Sequence, residues 1–334
     1  MDPVVLSANQ PPDRFYRGGA QIAEFRGEPR HGHRVPEDWV ASTTALAGHE
    51  HVGMTVMPGG TRLIDEIAAE PLGWLGPAHL ERYGLDTKLL VKLLDAGERL
   101  PVHAHPGTDF AQARLGRRHG KAEAWYVLSS CEVYLGLKHD LHPSELLKMV
   151  KLQQVDALLG MLHRRHVNPG DTVYVPPGML HAIGAGAFLA ELQEPEDLSI
   201  LLEWRDFELD GENDGHLGVG FETAISALDL KGYSDKDIAQ LTSAGRFGDS
   251  ILPAASRNFF SLGHRGVDGG AVLDPGFVVL IITGGHIRLH WGVRNEMRLE
   301  RGSTVVVPFG AGPVEVTGHG ELIECRPPTA RAQG

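Results

Sequence analysis

Short runs of β-branched and aromatic residues, each closed by Gly or Pro, recur along this chain of 334 residues. Strands of this kind need tight turns between them, and 42 glycines and 21 prolines supply the turn residues. The pattern predicts a mainly β, antiparallel protein with few helices. The chain is also long enough for two such β units, each with a sizeable core.

Three segments are predicted along the chain. Residues 1–205 would form an N-terminal β domain, and residues 206–256 a linker that is acidic at first and then helical at SDKDIAQLTSAGRF. Residues 257–334 repeat the strand and turn rhythm of the first domain. We therefore expect two jelly rolls of similar architecture.

One helical insertion, at about 143–166, is predicted inside the N-terminal domain. Ser144 is its candidate N-cap. Its apolar residues recur at roughly helical spacing, and we expect them to pack in the core: Leu147, Val150, Leu158 and Leu162.

Two histidines, His103 and His105, stand two residues apart in the strand-like run GERLPVHAH. Residues two apart on a strand point the same way, so both imidazoles can reach one ion. A third imidazole, His181, ends the segment GDTVYVPPGMLH, in which Gly170 and Pro176 mark turns. Glu123, in the strand-like KAEAWYVLSS, supplies a carboxylate.

Three imidazoles and one carboxylate form a ligand set that suits Zn²⁺, with Mn²⁺, Fe²⁺, Co²⁺ or Ni²⁺ as alternatives. The competing interpretation is that these are ordinary strand histidines in a chain that contains 18 of them. The two separately framed segments favour a metal site. The histidines without such framing are expected to face solvent: His31, His33, His49, His51, His163 and His166. The segment GSTVVVPFGAGPVEV resembles GDTVYVPPGMLH without its histidine, so the C-terminal domain is expected to lack a metal.

Charge and cysteine content narrow the possible partners. The net charge of −12 argues against general nucleic-acid binding. A basic loop, which is either solvated or attracts an anionic substrate, contains Arg114, Arg117, Arg118 and Lys121. Two isolated cysteines, Cys131 and Cys325, predict a reducing compartment. The N-terminus shows no secretory signal and no stretch approaches 18 apolar residues, so we expect a soluble, cytoplasmic protein that does not bind membranes and could form a homo-oligomer.

The segments LLVKLLDAGERLPVHAHP, GKAEAWYVL, PGDTVYVPPGMLHAIGAG and AELQEPEDLSILLEW together resemble the type I mannose-6-phosphate isomerase family of the cupin superfamily. The resemblance covers most of the chain, including WVASTT near its start. It implies two cupin barrels, the second degenerate, and a zinc ion at His103, His105, Glu123 and His181. Glutamine is common in the family where this chain has His103.

The same resemblance implies an aldose–ketose isomerase, an intramolecular oxidoreductase that interconverts mannose 6-phosphate and fructose 6-phosphate through an enediolate. It identifies Lys121 as an active-site lysine and Glu191 as the proton-carrying carboxylate. Lys121 and Glu123 share a strand face, so the ammonium could stabilise an oxyanion beside the metal. Glu191 could act as a general base, or instead orient His181.

Two departures from the family pattern leave the substrate open. Leu201 occupies the position of a family arginine, and Arg205 is a possible substitute four residues on. Pro101 replaces a serine that helps to hold the phosphate, whereas Lys92 matches the companion lysine. The alternatives are an isomerase of a different or unphosphorylated sugar, a non-catalytic metal-bound sugar-binding cupin, and an iron-dependent dioxygenase.

Overall fold

The fold is mainly β, as the sequence predicted, with 31% of residues in strands and 23% in helices. It is given by a computed structural model that describes residues 1–329. All pairings between its strands are antiparallel within those residues. The strands form three sheets, and no closed barrel is found in this part of the chain.

The six-stranded sheet is the central layer of the molecule. Its order is β12 (Thr242–Ser243), β8 (Thr172–Val175), β5 (Glu123–Val127), β10 (Phe188–Gln193), β3 (Leu90–Asp95) and β2 (Glu37–Val40). Strands β3 and β10 are buried along their whole length because other sheets cover both faces. Alternation along β10 sends Leu189 and Glu191 to one face, and Ala190 and Leu192 to the other.

The five-stranded sheet packs on one face of the central sheet. Its order is β11 (Ile200–Leu201), β4 (His103–Ala104), β9 (His181–Ile183), β6 (Cys131–Leu137) and β7 (Leu162–Val167). The core between these two sheets contains Trp125 and Leu189 from the central sheet and Leu135 from the five-stranded one. The predicted ligand residues lie in the same intersheet space, on strands of both sheets.

The seven-stranded sheet belongs mostly to the C-terminal half. It contains β1 (Val4–Leu6), β13 (Ser261–Gly266), β14 (Ala271–Leu273), β15 (Val278–Trp291), β16 (Asn295–Glu300), β17 (Thr304–Val307) and β18 (Val314–Arg326). Val279 and Ile323 from this sheet share a core with Val91 and Ala190 of the central sheet. Strand β1 pairs with β17, so the start of the chain lies in the C-terminal sheet.

The helices are short and lie between the strands. They are α1 (Ala20–Arg26), α2 (Leu63–Ala69), α3 (Pro71–Leu75), α4 (Pro77–Tyr83), α5 (Thr108–Phe110), α6 (Pro143–Lys151), α7 (Val155–Gly160), α8 (Gly211–Asp214), α9 (Phe221–Ala224) and α10 (Asp235–Leu241). A π-helical turn, Ala111–Leu115, continues α5, and 3₁₀ turns occur at Ile225–Ala227, Ala254–Asn258 and Phe309–Ala311. No helix within residues 1–329 has the length and apolarity needed to cross a bilayer.

The predicted insertion at 143–166 is two helices followed by a strand rather than one helix. Gln153, between α6 and α7, has a positive φ of 47°, which interrupts the helical path. The N-cap is His142, whose imidazole accepts from the Ser144 amide, because Pro143 suits the first helical position. The predicted apolar stripe does pack in the core, with Leu162 already in β7.

The segment 206–256 contributes to the N-terminal half. Helix α10 begins with a capping box in which Ser234 and Asp237 exchange hydrogen bonds, and it ends at Leu241. The predicted helix therefore exists but is shorter than the motif suggested. Strand β12 then pairs with β8 at the edge of the central sheet.

Candidate metal centre and catalytic cavity

Three buried imidazoles meet at one end of the space between the central and five-stranded sheets. His103 and His181 are directly opposed in the β4–β9 pairing, and their ring centroids are 4.1 Å apart. His105 follows β4, and its ring centroid lies 5.0 Å from that of each of the other two. One ligand atom from each ring lies within 4.8 Å of the others, a separation that suits a single metal ion.

Each imidazole is oriented by a backbone carbonyl. The Nδ1 atoms of His103, His105 and His181 lie 2.8, 2.6 and 2.9 Å from the carbonyls of Pro101, Leu198 and Met179. With Nδ1–H donating to a carbonyl, Nε2 is left with its lone pair directed into the site. Burial, together with Lys121, lowers the pKa of His105 to about 3. Neutral imidazoles of this kind are ready to bind a metal.

Glu123 brings its carboxylate to the same point from the central sheet. Its Oε2 lies 3.1 Å from His105 Nε2, and its Oε1 lies 3.0 Å from His181 Nε2. Burial alone would raise the carboxyl pKa, but the Lys121 ammonium and the nearby imidazoles hold it well below its usual range. The predicted four-ligand set is thus brought together.

Two of these atoms are buried and lack a hydrogen-bond partner, which tests whether a cation fits. They are Glu123 Oε2 and His181 Nε2. Buried polar atoms without a hydrogen bond are costly. Here they are an anionic oxygen close to the Lys121 ammonium and an imidazole nitrogen that faces Glu123 Oε1. A divalent cation bound by these donors would satisfy both, so the residues fit the predicted metal.

Lys121 and Glu191 lie beside the ligand cluster. Lys121 Nζ is 2.9 Å from Glu123 Oε2 and 3.6 Å from Glu191 Oε1. Burial would lower the pKa of Lys121, but Glu123 and Glu191 raise it above its usual range. Burial and the Glu123 carboxylate raise the pKa of Glu191 to about 8, although Lys121 and Lys92 oppose the shift. Glu191 can therefore exchange a proton near neutral pH.

Lys92 reaches the same cavity from β3, directly opposite Glu191 in the sheet. Its Nζ lies 3.3 Å from Glu37 Oε2 and 4.7 Å from the centroid of the Trp39 ring. The ammonium is therefore held between a carboxylate and an aromatic face. A role in binding substrate stays a prediction for Lys92.

Arg205 is not brought to the cavity. Strand β11 ends at Leu201, so the strand parity that would have aligned Arg205 with that position does not extend to it. Its guanidinium instead donates to the Leu152 carbonyl at 3.4 Å, on a separate surface groove. Leu201 itself lines the cavity.

The sequence did not reveal several residues that line the cavity. These are Arg14, Phe15, Tyr16, Glu37 and Asp197. Arg14, Phe15 and Tyr16 come from the segment before α1, far from every ligand motif. Only the Glu37 and Trp39 pair in PEDWV offered a signal, since residues two apart on a strand share a face. The cavity has a volume of about 40 Å³.

The remaining predicted polar groups lie away from the centre. Arg114, Arg117 and Arg118 of the basic loop are exposed, whereas Lys121 is buried. His31, His33, His49, His51 and His166 are exposed, as expected. His163 is an exception, because it is buried on β7 with its Nε2 2.8 Å from the Tyr233 carbonyl. Among residues 1–329 the imidazole cluster at His103 is the single group identified with metal-binding geometry.

Fold and site together define an antiparallel β protein with a buried three-histidine, one-glutamate centre beside a lysine–glutamate pair. No family model matches the chain. The chain is 25% identical over 316 residues to the mannose-6-phosphate isomerase ManA of Bacillus subtilis, covering 92% of this chain and 93% of ManA. This match confirms the predicted resemblance to mannose-6-phosphate isomerases.

Solved structures share the fold. A crystal structure of the mannose 6-phosphate isomerase from Bacillus subtilis superposes with a TM-score of 0.73 at 21% identity, covering 98% of this chain and 100% of the other. A mannose 6-phosphate isomerase bound with zinc and yttrium gives a TM-score of 0.75 at 14% identity, with the same coverage. The architecture of this chain is therefore the one found in those enzymes.

Proposed function

We propose that the protein is a metal-dependent aldose–ketose isomerase that interconverts mannose 6-phosphate and fructose 6-phosphate, with zinc as its metal. The observation that carries the proposal is the buried Lys121–Glu191 pair, 3.6 Å apart, beside the ligand cluster. A metal centre alone would suit many reactions. A carboxyl group able to exchange a proton near neutral pH, next to a cation, is what movement of a proton between adjacent carbons requires. The relatives named mannose-6-phosphate isomerase support the substrate.

The metal would be held by His103, His105, Glu123 and His181. When bound, it polarises the sugar carbonyl and stabilises negative charge on the adjacent oxygens. Zinc suits these ligands, and the zinc-bound structure of similar fold supports it. All four side chains are buried.

Glu191 is proposed to carry the proton. In the open-chain aldose it would take the proton from C2, leaving an enediolate, and deliver it to C1 to give the ketose. The hydroxyl proton moves between the two oxygens in the same conversion. Lys121 would donate a hydrogen bond to the enediolate oxygen as its charge develops, since its ammonium lies 3.0 Å from His105 Nε2 and so reaches the metal position.

A sugar must enlarge the cavity to enter it. Typical ligand pockets have volumes of roughly 300–1,000 Å³, several times the volume of about 40 Å³ found here. The walls outside the sheets are the Arg14 side chain and the loop at Asp197, so these are the parts expected to move. Movement of such a loop would also exclude water from the enediolate.

We also propose that the chain is divided into two jelly-roll domains joined by a linker. Residues 1–205 would form a cupin jelly roll from the central and five-stranded sheets, followed by the linker 206–256. Residues 257–334 would form a second, metal-free jelly roll, with the end of that range beyond the described residues. The pairing of β1 with β17 ties the first domain to the second. A cytoplasmic location and a homo-oligomer stay predictions.

One observation favours a second candidate, an isomerase of a different or unphosphorylated sugar. Leu201 lines the cavity and offers no charge to a phosphate, and Pro101 offers no hydroxyl. Glu191 and Lys121 would act in the same way on such a substrate. The two candidates differ only in what binds the far end of the sugar.

The test is turnover by zinc-loaded protein of mannose 6-phosphate, beside free mannose, in deuterated water. We expect interconversion with fructose 6-phosphate, which a chelator abolishes and added zinc restores. Turnover of the free sugar alone would favour the second candidate. Saturable binding of sugar without deuterium incorporation at C1 or C2 would contradict both and indicate a sugar-binding protein. Activity that requires oxygen would indicate a dioxygenase.

A further inference from the structure

Arg14 brings into the cavity a guanidinium that no motif predicted. Its Nη2 lies 3.1 Å from Glu37 Oε1 and 3.8 Å from Asp197 Oδ1. The side chain is only 14% exposed. Its backbone is anchored, because the Arg14 amide donates to the Arg34 carbonyl and the Arg34 Nε donates to the Arg14 carbonyl. The side chain can thus change partners while its backbone stays in place.

Glu37, the main partner of Arg14, has three other polar partners. Tyr16 donates to Oε1 at 2.6 Å, and Trp39 Nε1 donates to Oε2 at 2.7 Å. The Lys92 ammonium lies 3.3 Å from Oε2 and neutralises the carboxylate. If Arg14 turned away, Glu37 would still be paired and hydrogen-bonded. Releasing Arg14 to another anion would therefore leave Glu37 with three polar partners, at the cost of its two contacts with Nε and Nη2 of Arg14, each 3.1 Å long.

The other two cations of the cavity lie on, or directly before, strands of the central sheet. Lys92 is fixed in β3 over the Trp39 ring, and Lys121 contacts Glu123. Arg14 is the cation that comes from outside the sheets, and its contact with Asp197 is long. A guanidinium also matches phosphate oxygens in a bidentate fork, which an ammonium does not.

Two positions that the family resemblance relates to the substrate carry no polar side chain in this protein. Leu201 and Pro101 line the same space, and neither side chain can bind an anion. Three cations, Arg14, Lys92 and Lys121, line the cavity together with four carboxyl groups, those of Glu37, Glu123, Glu191 and Asp197. With the proposed divalent metal bound, the summed charge of these groups would be positive, which favours an anion.

We propose that Arg14 binds the phosphate group of the substrate and so sets the preference for phosphorylated over free sugars. The inference rests on the proposed function for the identity of the sugar. The contacts of Arg14 support the anion site whatever the sugar is. Asp197 competes with the phosphate, because its carboxylate pairs with the Arg14 guanidinium when no phosphate is bound.

The experiment compares Arg14→Gln with the wild type and with Arg17→Gln. Arg17 is a matched control, since its side chain is 71% exposed and pairs with Glu98 outside the cavity. Binding of inorganic phosphate to the zinc-loaded proteins is measured by calorimetry, and steady-state kinetics are measured on mannose 6-phosphate. For Arg14→Gln we expect phosphate binding to weaken and KM to rise by roughly 10- to 100-fold, the range for a lost hydrogen bond to a charged group, with kcat changed much less. Arg17→Gln should behave as the wild type.

Asp197→Asn gives a test of opposite sign. It removes the competing charge but keeps a side-chain oxygen. That oxygen can still accept the hydrogen bond that the Ala47 amide donates to Asp197 at 3.2 Å. Phosphate should then bind tighter than in the wild type, by about threefold or more, because a like-charge competitor near an anion site is worth on the order of one hydrogen bond. Weaker or unchanged binding would overturn the competition between Asp197 and phosphate.

The outcomes separate this inference from the proposed function. Isomerase activity with an unchanged KM in Arg14→Gln would overturn the role of Arg14 and leave the function standing. Arginine-dependent phosphate binding without turnover of any phosphosugar would support the anion site and contradict the function. Wild-type protein that binds no phosphate would overturn the inference. If Arg14→Gln fails to fold, Arg14→Met removes the charge and keeps an unbranched side chain, and phosphate affinity equal to that of the wild type would overturn the inference.

Discussion

The Lys121 ammonium lies 3.6 Å from the Glu191 carboxylate, and both side chains are buried beside the imidazole cluster. Each changes the ionisation of the other. Glu191 helps to raise the pKa of Lys121, and Lys121 restrains the rise that burial and Glu123 produce in the pKa of Glu191. The pair therefore combines a permanent cation with a carboxyl group that titrates near neutral pH, and several predictions about activity depend on it.

Glu191→Gln should remove the proposed base and keep the shape of the side chain. We expect kcat to fall on the order of a hundredfold or more, as for a lost general base. Zinc content, measured by mass spectrometry, should stay near one ion per chain, on the order expected for an intact single site. Glu212→Gln, at an exposed carboxylate, is the control. Turnover at the wild-type level would remove Glu191 from the mechanism.

Lys121→Gln should shift the pH dependence of activity. The base must be ionised to act, so kcat/KM should rise with pH through the pKa of Glu191 and be lost as the pH falls below it. Without Lys121, the cation that opposes the rise in this pKa is gone. The rising limb should therefore move to higher pH, together with a loss of kcat. A limb at unchanged or lower pH would show that another group limits the rate.

His181→Ala should abolish metal binding, because its Nε2 faces the other ligands and has no other partner. Loss of one of the four ligands strongly weakens zinc binding, and activity should disappear with the metal. His166→Ala, on an exposed side chain of β7, should retain both. A His181→Ala protein with full metal and full turnover would refute the site.

Glu37→Gln should destabilise the protein in a pH-dependent way. Burial would raise the Glu37 pKa, but Arg14, Lys92 and two hydrogen-bond donors hold it well below its usual range. A lowered folded-state pKa contributes stability that is complete above the ordinary pKa and is lost as the pH falls below it. The free energy of unfolding should drop by about 3 kcal/mol at neutral pH, since a buried pair loses one partner.

The difference between Glu37→Gln and the wild type should shrink below about pH 4.5, the usual range of a glutamate. Denaturant unfolding at several pH values measures it. Glu98→Gln serves as control, because the Arg17–Glu98 pair is exposed and should contribute less than about 1 kcal/mol. A constant difference across the pH range would mean that Glu37 stabilises the fold by packing alone.

Much of the fold and of the metal site could be read from local patterns. His103 and His105 share a strand face by parity, and the glycines and prolines around His181 mark the turn that returns it to them. Glu123 and Lys121 were matched by the same rule. The structure brings these side chains together, although His105 lies just after β4 and Lys121 just before β5, because the members of each pair are only two residues apart.

The helical insertion was harder to read. Apolar spacing correctly identified its buried stripe, but the positive φ of Gln153 and the strand beginning at Leu162 break the single helix that was predicted. Helix propensity is only a weak guide in this segment, and the pairing of β7 with β6 decides where the helix ends. The same limit applied to Arg205, whose predicted alignment assumed a strand that ends at Leu201.

The sequence by itself determined a mainly β chain and the residue types of its metal centre, because strand periodicity and turn residues act over short distances. Only the tertiary structure decided what surrounds that centre. It placed Glu37 between Arg14 and Lys92, Asp197 against Arg14, and the central sheet between two others so that Glu191 is buried. These contacts join residues far apart in the chain, and the burial that shifts their pKa values exists only once the sheets have packed.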